Sequence, residues 1–458
     1  MAEIKLPRKV IAMDRFWLFL CICMVLGAFP RVSAQINILK EKKGWNFGFL
    51  PVLGYNTDLG FKYGGLVAAY DYGDGADYPK YRKMIRLEIS RSTKGSGINQ
   101  LFLDFNPLFR RDNIRLTADI SYLSDQTSDF YGFNGTPSNY NAGFTDDNSD
   151  AYISRVFYKM ERNLMRVAFD FQGNIVTPRF RWLAGFGFYN YDVRSVDIEK
   201  LNKGKSEEKK LPDTALLYDK YVGWGIIPGQ EASGGHQQCL KFGLVYDSRD
   251  IQANPAKGIW SEVLVVTAPY ALWNQDGSFT KLVVIHRQYF TLVRDRLTWV
   301  YRIGYQGTIG GNDPFYNQNN MYSSYLSAVN VQGLGGAKSL RGILRNRITG
   351  EGIAYANTEF RWKFLKFLWA KQNFYFALNP FLDMGMAVQQ TPVDETKVPS
   401  GEDPANYFTG KAEQLHYSAG CGLHIAMNEN FVIAADFGWA LSRQDGKFGA
   451  YVGINWLF

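Results

Sequence analysis

From Trp45 onward the sequence runs in segments of roughly ten to fourteen residues whose polarity alternates with a period of two, divided by turns rich in Gly, Asn and Asp. Ile114, Leu116, Ala118, Ile120 and Tyr122 face away from Arg115, Thr117, Asp119 and Ser121. Leu297, Trp299, Tyr301, Ile303 and Tyr305 likewise oppose Thr298, Arg302, Gly304 and Gln306, and Lys83, Ile85, Leu87 and Ile89 oppose Arg82, Arg86, Glu88 and Ser90. So many polar faces cannot share a dry sandwich core; they point to a wet interior inside an apolar exterior.

The ending sharpens this. Phe448, Ala450, Val452, Ile454, Trp456 and Phe458 fall on one face, and Gly449, Tyr451, Gly453 and Asn455 on the other. An apolar edge strand at a free terminus invites aggregation unless it is paired, and a closed barrel pairs the last strand with the first, here Trp45 to Tyr55. Tyr451, Gly453, Trp456 and Phe458 also resemble the C-terminal targeting signal of outer-membrane barrels.

Export is written into the start of the chain. Lys5, Arg8, Lys9 and Arg15 precede the apolar run Phe16 to Phe29, and Val32-Ser33-Ala34 supplies small residues for a cut before Gln35. That is the layout of a secretory signal peptide, with a core too short for a spanning helix. The expected organisation is a leader at 1–34, a short periplasmic segment at 35–44 and a barrel at 45–458. With no later run long enough to span as a helix, insertion has to be by strands. Composition agrees: 16% aromatic residues and 45 glycines suit strands, turns and interfacial belts. The formal charge of +8 is spread along the strands, so no nucleic-acid footprint is expected.

Candidate strands fall at 45–55, 58–72, 80–93, 97–109, 113–123, 150–174, 179–194, 237–248, 258–268, 278–293, 296–308, 351–364, 374–387, 414–427, 430–441 and 447–458. Glu161-Arg162-Asn163 could divide 150–174, but single-chain bacterial barrels have even strand numbers, which favours sixteen. The long connections 124–149, 195–236, 309–350 and 388–413 then share one end, and Arg110-Arg111-Asp112, Arg294-Asp295 and Asn428-Glu429 are tight turns at the other. Outer-membrane barrels have this asymmetry. Cys239 and Cys421 lie on opposite faces, so no disulfide is expected between them.

The sixth connection at the long-loop end, 309–350, carries Val331-Gln-Gly-Leu-Gly-Gly-Ala-Lys-Ser-Leu-Arg-Gly-Ile343. Its glycines permit tight, positive-φ backbone, with which a long loop can fold inward. Arg341 would be costly in a lumen unless paired, and two carboxylates are placed to pair it. Glu359 lies on the polar face of the twelfth strand and Asp383 on that of the thirteenth.

Here the chain resembles the BamA/TamA superfamily of outer-membrane assembly barrels, also called the bacterial surface antigen family. The resemblance rests on Leu340, Arg341 and Gly342 in this loop, Leu50-Pro-Val-Leu-Gly-Tyr55, Phe130-Tyr-Gly-Phe-Asn134, Tyr246-Asp-Ser-Arg-Asp250 and Asn254-Pro-Ala-Lys-Gly258. It implies a sixteen-stranded antiparallel barrel whose sixth loop enters the lumen and whose Arg-Gly pair contacts Glu359 and Asp383. It departs from the family at Ile343, where an aromatic usually follows the glycine, and in having only 35–44 where the family carries periplasmic polypeptide-transport-associated domains.

Two functions follow as expectations. One is a part in outer-membrane biogenesis, inserting or translocating protein or lipid, as an accessory without client-receiving domains of its own. Outer-membrane lipid, assembly machinery and periplasmic or lipoprotein partners would be its company. Pro51 and Gly44, Gly48 and Gly54 in and beside the first strand make a weak seam chemically plausible. The alternative is a structural or pore-forming barrel. No catalytic motif, metal site or cofactor is expected: the sequence lacks G-x-S-x-G and H-E-x-x-H, and its histidines at 236, 286, 416 and 424 are scattered.

Overall fold

A computed structural model describes residues 42–458 except 77, 79, 110–112, 253, 275–276, 327–331, 370–371, 428–430 and 455. The expected leader, residues 35–41 of the segment 35–44, and the turns at Arg110-Arg111-Asp112 and Asn428-Glu429 lie outside the described residues.

Sixteen antiparallel strands close into one barrel in chain order, with the first beside the last. They are β1 (Trp45–Asn56), β2 (Gly60–Asp71), β3 (Lys83–Ser92), β4 (Ser96–Phe105), β5 (Ile114–Asp129), β6 (Lys159–Asn174), β7 (Phe180–Arg194) and β8 (Gly234–Asp247). The second half comprises β9 (Gly258–Ala268), β10 (Phe279–Val293), β11 (Leu297–Gly311), β12 (Gly352–Trp369), β13 (Gln372–Gln389), β14 (His416–Met427), β15 (Phe431–Ala440) and β16 (Phe448–Ile454).

The alternation sorts the side chains as a membrane barrel requires. Val67, Leu87, Ile120, Phe186, Val263, Ile303 and Phe437 stand exposed on the outside, where lipid is the solvent that suits them. Inside, charges meet across neighbouring strands and, between Lys241 of β8 and Asp170 of β6, across the strand that separates them. Arg115 is 2.6 Å from Asp104, Arg166 2.8 Å from Asp119, Lys241 2.6 Å from Asp170 and Arg287 3.1 Å from Glu262. The connections 130–158, 195–233, 312–351 and 390–415 crowd one end, where Phe130, Phe133, Phe157, Tyr158, Tyr221, Phe315 and Phe408 pack as an aromatic dome over the lumen. At the other end the turn Arg294-Asp295 is tight, with Asp295 at φ 60°.

Several boundaries differ from expectation: β5 runs on to Asp129 rather than ending at 123, β12 runs on to Trp369 rather than ending at 364, and β4 stops at Phe105 rather than 109. The segment expected as a strand from 150 begins its ladder only at Lys159, because adjacent Phe157 and Tyr158 are both buried in the dome and a barrel strand would turn one of them outward. Glu161-Arg162-Asn163 is no break, since β6 pairs with β7 without interruption from Glu161–Arg194 to Asn174–Arg181. The final strand, expected to reach Phe458, ends at Ile454. Trp456, expected on the outer face, is instead buried against His424, with ring centroids 4.0 Å apart. Cys239 and Cys421 are free thiols.

Candidate functional site: the inward loop and the β1–β16 seam

The connection between β11 and β12 folds into the lumen because its backbone can make turns that most residues resist. Gly335, Gly336 and Gly342 have φ of 113°, 84° and 93°, and Asn346 has 59°. A bridge between Leu334 and Ile348 closes the turn region. Leu334, Leu340, Ile343 and Ile348 then pack against Ile353, Tyr355 and Ala387 on the wall. Leu340 is thus the apolar anchor of the motif.

Arg341 is completely buried beside this cluster. Its Nε and Nη2 donate to the two oxygens of Asp383 at 2.9 and 3.1 Å, a bidentate fork, and its own backbone N–H donates to Asp383 Oδ2 at 3.0 Å. Nη1 donates to Glu359 Oε2 at 3.1 Å and lies 3.6 Å from Asp436 Oδ2. The guanidinium stacks over Phe381 at 3.5 Å. Sequence reasoning named Glu359 and Asp383 and missed Asp436 and Phe381. Both lie on inward-facing parity, but no local signal says that β15 and β13 send those residues to this arginine.

Gly342 is demanded by space as well as by φ. A Cβ there would stand 2.5 Å from Gly438 C and 2.6 Å from Trp439 N, both backbone atoms of β15. Its N–H donates to Tyr451 Oη at 3.0 Å, tying the loop to β16. Two further arginines fix other sectors. Arg345 donates to Asp125 and Asp129 on β5 at 2.6 Å each, and Arg347 donates to Gln444 O and Ser138 O at 2.8 Å each. The earlier half of the loop reaches the remaining wall: Asp313 meets Lys281 at 2.7 Å, and the Ser324 N–H donates to Glu262 at 2.8 Å. The loop is therefore a plug and a cross-brace together.

The seam contrasts with this bracing. On its β2 side β1 is paired throughout, from Trp45–Asp71 to Asn56–Gly60. On its β16 side, among the described residues, the ladder consists of Tyr55–Val452 and Asn56–Tyr451. Thr57 and Ala450 add a backbone bond of 3.1 Å just beyond it. The register places Gly54 opposite Gly453, so the ladder stops where neither strand offers a side chain to a cross-strand pair. From Trp45 to Gly54, β1 has no ladder partner on that side among the described residues. Its neighbour has turned inward: Arg361 Nη2 donates to the Phe458 main-chain oxygen at 2.7 Å, and Arg361 and Arg302 lie 5.6 and 5.0 Å from the Phe458 ring. Of the expected C-terminal signal, Tyr451 thus serves the loop, Gly453 marks the end of the ladder, and Trp456 and Phe458 sit in the lumen.

A protein-family model described as the Omp85 superfamily domain matches residues 83–456. Among solved structures, the chain is similar to BamA from Haemophilus ducreyi lacking POTRA domains 1–3, with TM-score 0.50, 15% identity, and coverage of 91% of this chain and 71% of that one. It is also similar to CdiB from Escherichia coli, with TM-score 0.50, 12% identity, and coverage of 89% of this chain and 62% of that one. At these identities the likeness is one of fold. No curated protein matches the sequence.

Proposed function

The chain belongs to the Omp85 superfamily of outer-membrane barrels, and from that premise we propose that it takes part in outer-membrane biogenesis, offering the β1 edge to an incoming strand as an accessory to separate client-receiving partners. One observation carries this reading: among the described residues β1 is fully laddered to β2 and laddered to β16 only at Tyr55 and Asn56. Unpaired N–H and C=O groups along a strand template the pairing of another strand, and within a bilayer their exposure is costly enough to make such pairing strongly favourable. Pro51 removes one donor from that edge and leaves the others.

Lipid is the second element of the proposal. Phe47 and Phe49 on the outer face of β1 are 79% and 70% exposed, the most open apolar residues of their strand, so the bilayer meets the wall where its ladder is weakest. The partners would be outer-membrane lipid, assembly machinery, and periplasmic or lipoprotein factors that bring clients to the edge. The alternative, a structural or pore-forming barrel, is weakened in its porin form by the lumen-filling loop, whose Leu326 reaches Met84, Phe102 and Ala168 on the wall beyond.

The test is a covalent seam. Leu53→Cys with Ile454→Cys, opposite each other if the register continues, should form a disulfide across β1 and β16 on oxidation. Insertion of a client barrel into liposomes, or assembly of clients in cells, should stop when the bond forms and return on reduction. Undiminished activity with the seam locked would leave the passive barrel as the better account.

A further inference from the structure

Two like charges face each other on the inner wall, and only one of them is answered by an acid. The register sets Arg287 of β10 directly opposite Arg302 of β11, an arrangement that costs energy unless each cation is compensated. Arg287 has Glu262 at 3.1 Å. Arg302, only 7% exposed, donates to the Asn357 side-chain oxygen at 2.9 Å and to the Lys338 carbonyl at 3.4 Å, both neutral, and meets no carboxylate among the described residues. A buried guanidinium with neutral partners keeps its full charge and lacks the counter-charge that would offset its desolvation.

Lys338 adds a second uncompensated cation, from the plug. Its carbonyl is held by Arg302 and that of Ser339 by Asn357 Nδ2 at 2.6 Å, which fixes this stretch of the loop against the β11–β12 wall. The ammonium makes no hydrogen bond or ion pair among the described residues and is exposed, although it stands inside the barrel. It therefore projects into open lumen rather than into packing. Enclosure by the wall holds its pKa below the usual lysine value; Asp436 opposes that shift, and Lys62, Arg302 and Arg341 add to it. Positive charge is in excess here.

Unmet donors gather in the same place. Arg361 gives Nε to Glu359 and Nη2 to the Phe458 main-chain oxygen, each at 2.7 Å, while Nη1 is buried without an acceptor. Arg302 and Arg361 flank one ring, that of Phe458, at 5.0 and 5.6 Å. The Tyr289 ring lies 5.8 Å from the Arg361 guanidinium, and its hydroxyl is likewise buried and unpartnered. Buried donors without acceptors are a standing cost that a bound acceptor removes. Two unanswered positive charges and unspent N–H and O–H groups define the ligand they fit: a compact, oxygen-rich dianion. A phosphate monoester near neutral pH has that charge, and guanidinium forks suit its oxygens.

We propose that the lumen beneath the plug holds a phosphate site, in which Lys338 and Arg302 supply the charge and Arg361 Nη1 and Tyr289 Oη complete the donors. The phosphate is that of a free ion or of a lipid head. Leu50, on the inner face of β1 opposite Leu66, is 45% exposed and offers an acyl chain an apolar surface within the same lumen. The site does not depend on the use made of the β1 edge, so it stands or falls apart from the biogenesis reading.

Titration calorimetry of the purified, folded full-length barrel in phosphate-free buffer tests it, with inorganic phosphate, dihexanoyl phosphatidic acid and dihexanoyl phosphatidylcholine as probes. Phosphate and phosphatidic acid should bind saturably at one site per barrel, and phosphatidylcholine should not. Lys338→Ala should weaken both by about tenfold, the scale of one lost charge-assisted contact, while keeping the heat-resistant folded band. Arg302→Gln should weaken them likewise, and Arg302→Lys should restore part of the affinity. Lys203→Ala, exposed on the β7–β8 connection, should change nothing. Tighter binding of phosphatidic acid than of phosphate assigns the site to a lipid head, and equal binding assigns it to the free ion. Absence of saturable binding, affinity unchanged in both Lys338→Ala and Arg302→Gln, or equal binding of phosphatidylcholine would overturn the proposal.

Discussion

On its β2 side β1 is zipped along its whole length; on its β16 side, among the described residues, two residue pairs hold it, and Trp456 and Phe458 lie in the lumen rather than on the wall beside it. Elsewhere, the strands from β12 to β16 are stitched in order by ladders, and β12, β13, β15 and β16 are also gathered from within by Arg341 and Gly342. The wall on one flank of the seam is thus reinforced to the last strand, while β1 on the other is held mainly by its hairpin partner. Strength up to the gap and weakness across it make the seam a defined line of opening, rather than a generally soft barrel.

The largest effect should come from removing the reinforcement. Arg341→Ala leaves Asp383, Glu359 and Asp436 buried without their cation, which should cost about 3–5 kcal/mol, read as loss of the heat-resistant folded band or as a lowered unfolding midpoint. Gly342→Val should be nearly as damaging, about 3 kcal/mol, because it combines positive-φ strain with collision against the β15 backbone. If either variant matches wild type, the plug does not brace this flank.

Next is the face assignment at the seam. Val452→Arg should cost about 2–4 kcal/mol, the value for a cation at the bilayer midplane, and full tolerance would mean that this face does not meet lipid. Smaller in energy but closer to the comparison is hydrogen exchange. Amides of Trp45 to Gly54 that point toward β16 should exchange far faster than those laddered to β2, whereas β5 and β6 should be protected on both sides. Uniform protection along β1 would erase the contrast.

The smallest effects belong to charges outside the brace. Lys338→Ala should cost far less than Arg341→Ala, since its side chain makes no hydrogen bond or ion pair among the described residues. At the dome, hydrogen bonds from Lys220 and Tyr407 hold the Glu402 carboxyl below its usual range. Its contribution is therefore present above the ordinary glutamate pKa and is lost as acid titrates the depressed value. Lys220→Ala should shift a loop-dynamics readout at neutral pH, and that difference should vanish in strong acid.

Much of this was legible in the sequence. Alternation located every strand, since each strand separates lipid from a polar lumen and must declare its two faces. Parity put Glu359 and Asp383 on the lumen side, and the charge of Arg341 in its glycine-rich loop made their meeting reasonable. What alternation cannot report is which inward residues converge from non-neighbouring strands: Asp436, Phe381 and Gly438 carry no local mark of their meeting with the loop. The stretch before Lys159 misled because dome aromatics imitate a strand's composition. The tail misled for a deeper reason. Trp456 and Phe458 fit an outward strand by pattern, yet aromatic rings also stack well on His424 and Arg361, and a two-residue period cannot choose between the two seats.

The loop's acceptors are scattered through the chain in a telling order. Arg345 finds its carboxylates on β5, but Arg341 needs β12, β13 and β15, and the Gly342 amide needs the Tyr451 hydroxyl of β16. A wall missing its last strands offers Arg341 an incomplete set and Gly342 nothing, so the plug cannot lock into a half-built cylinder. Burial of that one guanidinium is complete only when the circle has been drawn almost to its end, just short of the seam.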